Sequence, residues 1–229
     1  MKLNRFAMAI ALGTLTSGAW ATTVFSNVYD NGAFLPFSSN TPAGTKFGDG
    51  GWLSNFGSDT YTLTEITLGL ASLGGTNNGS TDLVFTFNDG DPSGLVFGNG
   101  ATLYSTTITN VSIPSEESGA VATFSIAIPL PNIVTSGGFN NIGFSVGVSN
   151  FNFDGTFGFQ CSSGFGQTVG FYTNNASQFD GSGWSLFSFG PGVGGVANFV
   201  AEIKQVPSPS ALGVFGLACL CAPRRRRMA

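Results

Sequence analysis

Histidine is absent from this chain of 229 residues, and arginine occurs only near its two ends. Without histidine, a protein lacks the usual general base at neutral pH and the commonest metal ligand. Without arginine in its body, it also lacks the planar group that binds phosphates and carboxylates through paired hydrogen bonds. The sequence therefore argues against histidine-dependent catalysis and against phosphate-binding enzymes.

Charge is scarce and mostly of one sign. Only 9% of the residues are charged. The two ends hold six of the eight basic residues, so the stretch 22–205 keeps only Lys46 and Lys204 against all 12 acidic residues. Because an acidic body repels nucleic acid and anionic surfaces, we expect no nucleic-acid partner.

Cysteine is also rare, with three in the chain. Cys161 is the single thiol of the stretch 22–205, so no disulfide can form within that stretch. A catalytic thiol would need a base beside it, and no histidine exists to supply one. We expect Cys161 to be buried and inert.

Glycine, phenylalanine and small polar residues dominate what is present. The chain has 34 glycines and 23 phenylalanines, whereas good helix formers are few. This composition is typical of β-structure, and the stretch 22–205 is long enough to bury one hydrophobic core. We predict one all-β domain there, an antiparallel β-sandwich of jelly-roll-like type.

Alternation of apolar and polar residues predicts the individual strands. The clearest runs are 83–87, 120–128, 142–148 and 197–203. Between Tyr61 and Leu70 the apolar phase shifts at Glu65, which predicts a β-bulge. On the last strand, we expect Asn198 and Glu202 on the outer face, together with Lys204. Turn signals lie at 74–79, 89–94, 136–138 and 181–183.

The segment 1–21 has the three parts of a secretory signal peptide. Lys2 and Arg5 form the positive region, residues 6–15 form the apolar region, and Ala19 and Ala21 form a small-residue cleavage site. We expect export through the Sec machinery and cleavage after Ala21.

The segment 206–229 has a proline-containing spacer, an apolar run at 211–222 and a basic end. As a helix, the apolar run spans about 18 Å, which is short of the ~30 Å of bilayer hydrocarbon. Extending the helix towards Pro207, with the arginines snorkelling on the cytoplasmic side, lengthens it and places the body outside the cell. We predict a C-terminal apolar anchor helix. Its membrane and stop-transfer residues are Leu212, Leu217, Arg224, Arg225, Arg226 and Arg227.

The spacer and the basic end carry a resemblance to a known family. Val206, Pro207, Ser208 and Pro209, followed by the apolar run and four arginines, resemble the PEP-CTERM sorting signal of exported bacterial proteins. This resemblance implies processing by an exosortase, a membrane protease or transpeptidase of bacteria that make extracellular polysaccharide. Ser208 stands where the motif has glutamate. The resemblance covers residues 206–229 alone.

A second resemblance concerns the body. The stretches 60–70, 83–87 and 89–94, in that order, are similar to the choice-of-anchor domains, R type, of exported bacterial proteins that carry interchangeable sorting tails. That resemblance covers about half of the body and implies no activity.

Four residues are candidates for binding. Trp52 and Trp184 could form a platform for stacking sugars, although core packing is the competing role. Asp89 and Asp91 could supply oxygen ligands to Ca²⁺, although they lack the spacing of an EF-hand and a solvated turn is the competing interpretation. We expect no other cofactor.

Three classes of function stay open. Our hypothesis is a non-catalytic exported protein of the cell surface or extracellular matrix, associated with extracellular polysaccharide. The alternatives are a carbohydrate-binding module and a jelly-roll glycoside hydrolase. A hydrolase needs two carboxyl groups roughly 5 to 9.5 Å apart, and we find no such spaced pair along one strand. The only glutamates are Glu65, Glu116, Glu117 and Glu202.

Overall fold

The computed structural model describes residues 21–28, 30–37, 44–53, 60–96, 98–135, 140–162, 169–172, 176–187 and 198–206. Across these ranges the chain forms strands, turns and extended segments, with no helix. None of the described residues therefore forms a helix of the length and apolarity that crossing a membrane requires. The predicted signal helix and anchor helix lie outside the described residues.

Fourteen strands are described, and we number them in chain order. Their bounds are β1 Thr22–Asn27, β2 Asp30–Pro36, β3 Lys46–Trp52, β4 Tyr61–Gly74, β5 Gly79–Gly90, β6 Gly98–Ile113, β7 Glu116–Thr135, β8 Asn141–Asn152, β9 Thr156–Ser162, β10 Phe171–Tyr172, β11 Ala176–Phe179, β12 Trp184–Phe187, β13 Asn198–Phe199 and β14 Ala201–Gln205.

The strands form two antiparallel sheets. In the first, sheet A, β4 pairs with β7 along one edge and with β14 and then β9 along the other. Strands β1 and β2 lie outside β14 and β9, and β13 also pairs with β9. The second, sheet B, has the order β12-β11-β3-β8-β5-β6, with β10 also on β3. The predicted antiparallel, sandwich-like all-β fold is confirmed.

Phenylalanine rings fill the space between the sheets. Phe144 of sheet B and Phe159 of sheet A are fully buried, with ring centroids 6.3 Å apart. Phe159 also stacks on Phe199 at 4.5 Å. Each buried aromatic side chain contributes about 2 to 3 kcal/mol by removal of apolar surface from water. One core, built from both inner faces, therefore holds the two sheets together.

The register confirms the predicted bulge, and one residue that was expected on an outer face is buried. Pairing of β4 with β7 shifts between Leu63 and Glu65, at the predicted place. Asn198, expected on the outer face, is 1% exposed. Its neighbour Phe199 packs in the core on Phe159, as the alternation predicts, so Asn198 differs from the expectation in its burial. Val200, between β13 and β14, donates its N–H to the carbonyl of Gln160, and its own carbonyl accepts the N–H of Gly69.

The first and last described strands are neighbours. Thr22 at the start of β1 lies opposite Gln205 at the end of β14. Cys161 lies in the core with no exposed surface, so its predicted burial is confirmed.

Candidate functional site

The outer face of sheet B is closed by the chain's own loop after β5. Gly48 and Gly143 point to this face. A Cβ atom on Gly48 would lie 2.7 Å from Cγ of Pro92, and one on Gly143 would overlap the carbonyl oxygen of Gly90. Because these positions carry no side chain, the loop lies directly on the sheet.

Asp91 anchors that loop. It is fully buried, and both carboxylate oxygens accept hydrogen bonds from the Ser177 hydroxyl, at 2.9 and 3.0 Å. One oxygen also accepts the Ser93 N–H at 2.6 Å and the Ser93 hydroxyl. These donors occupy the oxygens that a calcium ion would require. Asp89 lies two residues earlier on β5, and within the described ranges no three acidic or cysteine side chains are grouped to hold a metal.

The two candidate tryptophans share a face but not a site. Both are half-buried, at positions that face outwards on sheet B. Trp52 ends β3, whereas Trp184 pairs with Phe179, which lies opposite Lys46 at the start of β3. Six residues of strand separate the two ends, or roughly 20 Å. The Trp184 ring packs on Phe179 at 5.4 Å, and the structure does not bring the two tryptophans into one platform.

The outer face of sheet A carries a shallow groove of about 350 Å³. Its floor is Gly69, where β14 and β9 meet end to end beside β4. A Cβ atom at Gly69 would lie 2.6 Å from the Gln160 side-chain oxygen and from Val200, so the groove depends on this glycine. Its lining consists of Val28, Thr67, Gly69, Thr123, Phe124, Ser125, Gln160, Val200 and Glu202.

The lining combines apolar side chains with polar ones that are mostly uncharged. Within the described part of the chain, the side chains of Thr67, Thr123, Ser125 and Gln160 make no hydrogen bond, and all four are at least partly exposed. Glu202 accepts a hydrogen bond of 2.7 Å from the Thr23 hydroxyl. The groove therefore offers hydroxyls, an amide and one carboxylate to a ligand.

A second carboxylate lies on the same face but not in the groove. Glu65 accepts a hydrogen bond of 2.8 Å from the Lys204 ammonium, and both side chains are about one-third exposed. This hydrogen bond raises the pKa of Lys204. Lys204 and Glu65 are directly opposite in the sheet, and Glu202 lies two residues from Lys204 on the same strand. Among the described residues, the groove itself is lined by a single carboxylate.

A buried carboxylate connects the two sheets. Asp49 of β3 has no exposed surface and accepts the N–H groups of Gly50, at 2.8 Å, and Phe199 of sheet A, at 3.1 Å. Burial raises the pKa of Asp49 well above its ordinary value, since removal from water penalises the charged form. The Tyr172 hydroxyl donates to the carbonyl of Phe199 at 2.9 Å, and burial raises the Tyr172 pKa as well.

Three further carboxylates, those of Asp82, Asp154 and Asp180, accept hydrogen bonds from turns or neighbouring strands. Asp180 accepts hydrogen bonds from Ser182 and Gly183, which lower its pKa to about 2. Hydrogen bonds from Asn110 and Asn150 lower the pKa of Asp82, and hydrogen bonds from Thr76 lower that of Asp154.

Sequence reasoning missed the groove. One signal was available, because Gly69 stands at an outward position of β4 between Leu68 and Leu70, and a glycine inside a strand often marks a close approach of another backbone. The residues predicted for the signal cleavage site, the sorting motif and the membrane anchor lie mostly outside the described residues. Of them, Ala21 and Val206 are described and exposed, and Val206 donates its N–H to Thr62 at 3.1 Å. Those outside are Ala19, Pro207, Ser208, Pro209, Leu212, Leu217, Arg224, Arg225, Arg226 and Arg227.

The chain was compared with protein families, curated proteins and solved structures. No family model, no curated protein and no solved structure matches it.

Proposed function

We propose that this chain is a non-catalytic exported protein of the cell surface or extracellular matrix, and that its sheet A groove contacts extracellular polysaccharide. The observation that carries the proposal is the availability of Thr67, Thr123, Ser125 and Gln160 in one groove. Hydroxyl and amide groups that have no hydrogen-bond partner among the described residues are suited to a neutral, hydroxyl-rich ligand.

The carboxylates support a non-catalytic role. Asp49, Asp91 and Asp180 each bind backbone N–H or hydroxyl groups of the fold itself, between the sheets, on a loop and in a turn. Glu65 is held by Lys204, and Glu202 is the one carboxylate that the described residues contribute to the groove. Hydrolysis of a glycosidic bond needs two carboxyl groups facing one cleft.

The order of the strands supports a jelly-roll assignment. Strands β2 to β9 alternate between the sheets except at the β5-β6 hairpin, which gives β2-β9-β4-β7 in one sheet and β3-β8-β5-β6 in the other. Such alternation is that of two Greek keys folded together, and sandwiches of this kind occur in lectin and capsid domains.

The proposal also includes export and retention at the membrane through the two terminal segments. The signal-peptide pattern of 1–21 and the sorting-signal resemblance of 206–229 support export and retention at the membrane. Intact-mass measurement of the protein from medium and from envelope tests this part. We expect a chain that begins at Thr22, with cleavage near Pro207 to Pro209 in the released form. A protein recovered only from the cytoplasm with Met1 in place would contradict it.

Affinity electrophoresis in gels that contain neutral polysaccharides tests the groove. We expect the native protein to be retarded, and Gln160→Ala to lose at least half of the retardation because its amide lies over the groove floor. Gln178→Ala is the matched control, since Gln178 is a half-buried glutamine of sheet B outside the groove. Equal mobility of native protein and both variants would count against the groove.

Two further measurements, of oligosaccharide binding and of reducing-sugar release, separate the proposal from its alternatives. An autonomous carbohydrate-binding module would also bind short oligosaccharides, and Gln160→Ala would weaken that binding. Release of reducing sugar by the purified protein, lost in Glu202→Gln, would instead establish a glycoside hydrolase.

A further inference from the structure

Strand β6 forms an edge of sheet B without charge. It runs for 16 residues, Gly98–Ile113, and contains no charged residue and no proline. One side pairs with β5, and in the part of the chain that the structure describes no strand pairs with its other side. An exposed edge of this kind is a template for another strand.

The long edge of sheet A is protected by comparison. Strand β7 carries Pro129 and Pro131, neither of which has an N–H to donate. It also begins with the acidic Glu116, and Asn132 has a positive φ of 51°. Prolines, charges and local irregularity are the features by which natural edges avoid pairing. Strand β6 lacks the first two.

The regular part of β6 is short and defined by its register. Pairing with β5 shifts beyond Ile108 at one end and beyond Tyr104 at the other. Between these irregularities, the five residues 104–108 pair without a bulge. A flat segment of this length can accept a second strand, whereas the bulges on either side limit how far the pairing extends.

The sequence of this segment is complementary to itself. In an antiparallel pair centred on Thr106, Tyr104 lies opposite Ile108 of the other strand, and Ser105 lies opposite Thr107. A pair of an aromatic and a β-branched side chain is favourable across strands, and so is a pair of two hydroxyl side chains. Each such pair contributes about 0.2 to 1 kcal/mol. Tyr104 and Ile108 already pack at the rim of the core, so a second copy would extend that apolar rim.

Two copies of the chain meet less charge repulsion at the segment 104–108 than at surfaces that carry carboxylates. The body is strongly acidic, so two copies repel each other wherever carboxylates face one another. On the adjacent strand β5, the carboxylates nearest to the segment 104–108 are those of Asp82 and Asp89. Both lie beyond the ends of this segment. The exposed Leu103, 45% accessible, would be partly covered.

We propose that two copies of this chain associate through their β6 edges, antiparallel and centred on Thr106, and that sheet B becomes continuous across the pair. The pairing goes beyond the polysaccharide contact proposed above and does not depend on it.

Sedimentation of the full chain in mild detergent tests the pairing, since detergent prevents association through the apolar run 211–222. We expect a concentration-dependent dimer. Thr107→Glu should weaken it at least tenfold, because Thr107 is exposed and like charges would meet near the two-fold axis. Val121→Glu, on the β7 edge and 42% exposed in the native protein, is the matched control and should associate as the native chain does.

A cross-link tests the register. Directly opposite residues in an antiparallel pair have Cα atoms about 4.5 to 5.5 Å apart, which suits a disulfide. Oxidised Thr106→Cys should therefore form a covalent dimer, and Thr109→Cys should not. Mixing Thr107→Glu with Thr107→Lys should restore association. A monomer at every concentration, an unaffected Thr107→Glu dimer, or equal cross-linking at both cysteines would overturn the proposal.

Discussion

The outer faces of the two sheets differ in what lies over their glycines. On sheet B, the gaps at Gly48 and Gly143 are filled by Gly90 and Pro92 of a loop that continues β5. On sheet A, the gap at Gly69 is only partly filled, by the side chains of its neighbours, and a groove stays open. A glycine in a strand thus creates space, and the segment within reach decides whether that space becomes packing or a site.

The polar groups on the two faces follow the same division. Asp91 on sheet B has its hydrogen bonds supplied by Ser93 and Ser177. The side-chain amide of Gln160 on sheet A receives none from the described residues. Substitutions on sheet B should therefore affect mainly stability, whereas substitutions on sheet A should affect mainly binding.

Gly143→Ala should have the largest effect. The new methyl group would overlap the backbone oxygen of Gly90, and neither strand nor loop can move aside cheaply. We expect a loss of about 3 kcal/mol in the free energy of unfolding, at the upper end for overpacking of a dense interior. Urea denaturation measures it.

Gly69→Ala is the matched variant on the open face. Its methyl group would meet the side chains of Gln160 and Val200, of which the first is flexible. We expect a cost of about 1 kcal/mol together with weaker polysaccharide binding. Equal destabilisation by the two substitutions would remove the distinction between the faces.

Asp91→Ala tests the anchor of the closed face. It leaves the hydroxyls of Ser93 and Ser177 without their acceptor in a buried place. Loss of such a partner costs about 1 to 3 kcal/mol. Limited proteolysis should then cut between β5 and β6, and the groove should still bind. An uncut loop would show that glycine packing alone holds it.

The pH dependence of stability should distinguish buried from exposed carboxylates. Because the pKa of Asp49 is higher in the folded protein, its contribution is complete below about pH 4 and is lost as the pH rises towards the folded pKa. Asp180, with a folded pKa of about 2, acts in the opposite sense, and its contribution is lost as the pH falls from about 4 to about 2.

Midpoints of urea denaturation between pH 2 and pH 8 measure both losses of stability, the one above about pH 4 and the one below it. Asp49→Asn should flatten the decline above about pH 4, and Asp180→Asn should flatten the decline below it. A decline above pH 4 that survives Asp49→Asn would assign it to another group.

Glu65→Gln should have the smallest effect on stability. Its partner Lys204 is, like Glu65 itself, about one-third exposed, so water screens the pair. We expect a loss of about 0.5 kcal/mol that shrinks with added salt. Polysaccharide binding should be unchanged, since Glu65 does not line the groove. A loss of binding would extend the site along sheet A.

Sequence alone predicts those strands that have one buried face. The alternation of Leu83, Phe85 and Phe87 survives in β5, because these side chains meet the core and their neighbours do not. Strand β6 was not predicted, since most of both its faces is exposed and no apolar period marks it. Strand β3 was missed because glycines at 48, 50 and 51 replace the expected side chains.

The groove could not be predicted for a different reason. Its lining comes from β4, β7, β9 and β14, from Val28 after β1 and from Val200 after β13. The relative positions of these segments depend on tertiary register. Val200, between β13 and β14, bonds through its backbone to Gly69 and to Gln160, which are distant in the sequence. The sequence shows the glycine at position 69, but it does not show which segments meet beside it.

The pairing of Thr22 with Gln205 means that the polypeptide enters and leaves the sandwich at one corner. The turn after Gly74 lies at the opposite end of β4, 11 residues from Leu63 and thus roughly 35 Å away. A circularly permuted chain, with 22 and 205 joined by a short linker and new ends opened at that turn, should therefore keep its pairing. Such a permutant would present fused cargo on the side facing away from the native ends.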